Sequence, residues 1–70
     1  METTKIFNKS ALARRVRQMK LGQEIIVSTE VERVSATNTA RAAREMGVVN
    51  FVLWTRKNEA GQFVLRATKP

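Results

Sequence analysis

Apolar residues recur along this chain at two spacings, and the change from one to the other divides it into elements. Leu12, Val16 and Met19 fall at i, i+4 and i+7, the single stripe of a helix over residues 10–20. Ser10 stands ahead of the stripe as an N-cap, its hydroxyl accepting from a first-turn amide. Lys20 suits the negative end of the helix dipole, and Gly22 suits a left-handed stop. Residues 24–28 gather three β-branched side chains, Ile25, Ile26 and Val27, and predict a short strand. Thr29 followed by Glu32 forms a capping box, so a second helical stretch opens there.

That second stretch carries a conflict of phase. Val31 and Val34 supply an apolar edge, but an uninterrupted helix continuing that edge brings Asn38 and Glu45 onto it. The apolar phase restarts with Ala36, Ala40, Ala43 and Gly47. The pattern therefore predicts two short helices broken at Ser35, the second spanning residues 36–46. One continuous helix over residues 30–46 is the competing reading.

After Gly47 the period changes to two. Residues 48–56 and 62–68 read as strands, and the polar segment between them, with Asn58 and Gly61, reads as the turn of a β-hairpin. Alternation places Phe51, Leu53, Phe63 and Leu65 on a core face. It places Asn50, Val52, Trp54, Arg56, Gln62, Val64 and Arg66 on the other. Residues 1–8 are mostly polar, with Ile6 and Phe7, and read as a short edge strand or a flexible arm. The whole is one small α+β domain of 70 residues: a helical part over residues 10–47 and a hairpin over 48–68.

Charge changes this picture most. Thirteen Lys and Arg against six Asp and Glu give a formal net charge of +7, which points to polyanionic partners. No disulfide or thiol site is available, because the chain has no Cys; without His as well, no metal site and no cofactor are expected. With Tyr also absent, the commonest acids, bases and nucleophiles are missing, and an enzyme is not expected. The apolar runs are too short to span a membrane and residues 1–8 lack the core of a signal peptide, so the expected location is cytoplasmic. Neither a membrane nor a small-molecule substrate is an expected partner. A chain this short is marginally stable, which makes a homodimer an expected partner state.

Candidate chemistry gathers in two places. On the helical segment 36–46, Asn38 and Arg41 lie one turn apart, with the residue types that read adenine and guanine edges in a major groove. Arg44 follows one turn on, and Ser35 and Thr37 stand at the segment's start, where hydroxyls and free amides meet phosphate. On the hairpin, Arg56, Lys57 and Arg66 form a basic tip. Trp54, with Val52 and Val64 on its face, is either covered by the N-terminal arm or offered to a partner.

The order helix, strand, helix, helix, hairpin resembles a winged helix-turn-helix domain. The resemblance rests on Ser35-Ala36-Thr37, on Ala40-Arg41-Ala42-Ala43-Arg44, and on the hairpin from Thr55-Arg56 to Arg66. The chain looks like the small regulators encoded by phages and prophages, including excisionase-type proteins, although Arg33-Val34-Ser35 stands where helix-turn-helix motifs often hold Gly. The resemblance implies a sequence-specific regulator of transcription, with helix 36–46 in the major groove of double-stranded DNA and the hairpin as a wing. Two alternatives stand beside it. One is an inhibitor or adaptor that binds a host protein through Trp54. The other is a binder of RNA or single-stranded DNA through the hairpin face.

Overall fold

The computed structural model describes residues 9–70, so the expected arm at residues 1–8 lies outside the described residues. Two helices and three strands follow in the order α1 (Lys9–Arg17), β1 (Glu24–Val27), α2 (Glu30–Glu45), β2 (Val52–Lys57) and β3 (Phe63–Thr68). The strands form one antiparallel sheet in the order β1-β3-β2. The described chain measures 42 × 27 × 15 Å along its principal axes, the thin dimension being one helical layer on one sheet.

The core lies between these layers. Leu12, Val16 and Met19, the stripe legible in the sequence, pack with Ala36 and Ala40 of α2 and with Ile25, Val27, Phe51, Leu65 and Ala67. Alternate residues of each strand thus point at the helices, as strand geometry requires. Ser10 is already inside α1 rather than capping it, and the helix ends at Arg17, ahead of the expected residue 20. Met19 still reaches the core, because its amide donates to the Val16 carbonyl in a final tight turn.

The largest departure from expectation is α2, which is one helix with no turn at Ser35. Its buried stripe is Ala36, Ala40 and Ala43. Val31 and Val34, read from sequence as the inner edge, point away from the core and are 64% and 40% exposed. With the valines outside, Asn38 and Glu45 are exposed as well, and nothing in the phase demands a break. Alanines are the best helix formers, and their small side chains let α2 sit close to the layer beneath. The expected capping box is present. The Glu32 amide donates to Thr29 Oγ1, and the amides of Ser28 and Thr29 donate to Glu32 Oε1, all at 3.0–3.1 Å.

Gly47 ends α2 at φ +78°, a conformation that costs an L side chain roughly 1–2 kcal/mol. Residues 48–51 then leave the helix as an irregular segment instead of extending β2, and Phe51 drops into the core. In the hairpin the Asn58 carboxamide holds the loop together, accepting from the amides of Ala60 at 3.0 Å and Gln62 at 2.9 Å. Among the described residues no helix is long and apolar enough to cross a membrane.

Candidate nucleic-acid interface

Both helices cover the same side of the sheet, and among the described residues no element covers the other side. The open face carries Glu24 and Ile26 from β1, Val52, Trp54 and Arg56 from β2, and Val64, Arg66 and Thr68 from β3. Register sets its layout. Arg66 on the central strand lies between Glu24 on one side and Trp54 on the other, and Val64 lies between Ile26 and Arg56. Central position alone explains why Val64 is only 3% exposed on an uncovered face: its neighbours flank it on both sides.

Trp54 is 69% exposed, and its ring borders a shallow groove of about 150 Å³ with Arg56, Val64, Arg66 and Thr68. Glu24 Oε2 lies 3.5 Å from both Arg56 Nη2 and Arg66 Nη1. One carboxylate thus holds two guanidinium groups over the sheet while neutralising only one of them. Such exposed pairs contribute about 0–1 kcal/mol each, so their role is to place the guanidinium groups rather than to hold the fold. Thr68 Oγ1, at the end of the groove, is buried with no hydrogen-bond partner among the described residues.

Lys57 does not join this face. Alternation turns it to the helical side, where its ammonium lies 5.4 Å from the Phe63 ring centroid, with the Arg33 guanidinium 5.6 Å from the same ring. A cation over an aromatic face is favourable, and the two cations screen Phe63 from solvent at the edge of the core.

The helical candidates form a second, separate group. Thr37, Arg41 and Arg44 border a small groove of about 180 Å³ against Phe51, Val52 and Leu53. Asn38 and Ser35 lie around the helix from them, in a wider groove with Val31, Val34 and Ala42. Asn38 and Arg41 are both exposed, as their spacing anticipates. The Thr37 hydroxyl donates back to the Val34 carbonyl at 3.0 Å, so it is an interior helix residue with its proton engaged and not a helix-start phosphate ligand. Ser35 likewise sits mid-helix, where no free amides stand beside it.

Alternation alone marks Trp54, Arg56, Val64 and Arg66 as one face. Glu24 is the member that sequence reasoning missed. Its place depends on β1 pairing with β3, and no local pattern announces that pairing. Comparison with protein-family models, with curated proteins and with solved structures found no match.

Proposed function

We propose that this chain is a small DNA-binding protein of the regulatory kind, and that it meets double-stranded DNA through the open sheet face. The observation that carries the reading is the pair of guanidinium groups of Arg56 and Arg66 beside exposed Trp54, on a face no helix covers. Strands as well as helices read DNA grooves, and the β2–β3 hairpin, with six residues in each strand, supplies most of this three-stranded face. Arginine forks on its outer face suit guanine edges or phosphates, and Trp54 suits the apolar surface between them. Helices followed by a hairpin, here joined by β1 into one sheet, is the winged-helix-like element of this reading; a helix-turn-helix is not part of it. The net charge of +7 supports a polyanionic partner, and among the described residues Glu24 is the single acid on the face.

A second reading keeps the contact on α2, and one observation favours it: Arg41 and Arg44 share a groove beside β2. Against it, the outward surface of α2 mixes Arg41 and Arg44 with Glu30, Glu45 and two exposed valines, a weaker match for phosphate than the paired guanidinium groups of the sheet face. Anisotropy titrations of a labelled duplex and of its single strand, repeated over a range of salt, test both. The sheet-face reading expects preference for duplex, a steep salt dependence, loss of affinity in Arg56→Ala and little loss in Arg41→Ala. Preference for the single strand, or loss in Arg41→Ala alone, overturns it. An absence of nucleic-acid binding together with a stoichiometric protein complex through Trp54 overturns both.

A further inference from the structure

The outward surface of α2 is the part of the molecule that the DNA-binding reading leaves unused. Val31 and Val34 are exposed, as is Met46 at 77%, and Ala42 and Asn38 lie between them. Val31, Val34, Asn38 and Ala42, together with Lys9 at the start of α1, border an open groove of about 640 Å³, far larger than the groove on the sheet face, and Met46 borders a separate groove of about 400 Å³ beyond Ala42. A core valine and an outer valine have the same chemistry, and a stripe of exposed ones along a helix needs a cover.

From this we infer that the outer face of α2 is a homodimer interface, occupied by the same face of a second copy running antiparallel. The stripe is self-complementary in that arrangement. With the two-fold axis beside Asn38, which lies near the middle of the 16-residue helix, Val31 of one copy lies opposite Glu45 of the other with Met46 beside it. Val34 and Ser35 meet Ala42, so large residues face small ones, and the two Asn38 side chains meet near the axis. A single polar residue in such a seam sets the register of two helices.

Charge selects the antiparallel direction. Glu30, ion-paired with Arg33 of its own helix but still exposed, stands at the N-terminal end of α2, and Arg41 and Arg44 stand on the same flank toward the C-terminal end. Antiparallel pairing brings Glu30 of each copy beside the arginines of the other, and Glu45 beside the positive end of the other helix. Parallel pairing opposes Glu30 with Glu30 and Arg41 with Arg41.

A strip one helix wide and about 24 Å long falls short of the roughly 800 Å² per partner of a stable interface. The dimer is therefore one that dissociates on dilution. Its two sheet faces point away from each other and stay open, so the interface does not depend on the DNA-binding reading. The two assignments fail separately.

Sedimentation equilibrium of the full chain, over a concentration series from low micromolar to millimolar, tests the interface. The expected result is a reversible monomer–dimer equilibrium. Val31→Lys, at an exposed position that leaves the fold intact by circular dichroism, weakens it by at least about tenfold. Glu30→Arg weakens it as well, and leaves the duplex affinity of the monomer unreduced. A wild-type chain that stays monomeric throughout the series overturns the inference. So does a dimer that survives both substitutions. Should Val31→Lys lower the melting temperature of a strictly monomeric protein, the groove is filled by residues 1–8 of the same chain and the inference also fails.

Discussion

Removing both arginines of the open face, as Arg56→Ala with Arg66→Ala, should separate binding from folding. Both pair with Glu24, at 3.5 Å and with all three side chains substantially exposed, so the double substitution should cost at most about 1 kcal/mol of stability. Binding should respond far more. Each cation that neutralises a phosphate contributes about 0.9 to the slope of log affinity against log salt concentration. Loss of two should flatten that slope by roughly 1.8. Between about 50 and 200 mM salt the wild-type affinity should then fall about tenfold further than that of the variant. The assay is duplex anisotropy at several salt concentrations, with thermal unfolding as the control. An unchanged slope in a variant that folds would refute the placement of these side chains on DNA. A variant that fails to fold would refute the assignment of Glu24, Arg56 and Arg66 as exposed placing contacts.

Two further outcomes follow from the same geometry. Glu24→Gln removes the one negative charge among the guanidinium groups, so duplex affinity should rise about two- to fivefold, the effect of one unit charge at close range in water; weaker binding would mean that the carboxylate's positioning of the forks outweighs its repulsion of DNA. Thr29→Ala deletes the acceptor of the Glu32 amide and breaks the capping box, at a cost of about 0.5–2 kcal/mol. Calorimetry should show the melting temperature lowered by about 4–8 °C for each kcal/mol lost.

What the sequence makes legible here is whatever is local. The Thr29 capping box, the β-branched run Ile25-Ile26-Val27, the Asn58 loop and the alternation of the hairpin are each decided within a few residues, and each stands in the structure. The break at Ser35 failed because periodicity reports that two apolar phases exist, not which of them faces inward. Three small alanines face the core in place of two larger valines, against a layer already filled by Phe51, Leu65 and the α1 stripe. The valines were left to the surface, where their exposure became the most informative fact about α2. The sheet face was half legible. Trp54, Arg56, Val64 and Arg66 followed from alternation within the hairpin, whereas Glu24 joins them only through a strand pairing across about 40 residues of chain. Lys57 was grouped with Arg56 as a neighbour in sequence, and the same alternation places it on the opposite side, above Phe63.

Trp54 is the chain's single Trp, and Tyr is absent, so intrinsic emission excited in the near ultraviolet reports on the open sheet face alone. The most direct measurement is therefore a titration of duplex DNA into the protein, following emission beside the anisotropy of the labelled duplex. The account predicts a saturable change in Trp54 emission that tracks binding, with both signals displaced together to weaker affinity in the Arg56→Ala, Arg66→Ala variant. Duplex binding that saturates by anisotropy while Trp54 emission stays constant would contradict it, and so would an absence of binding at low salt.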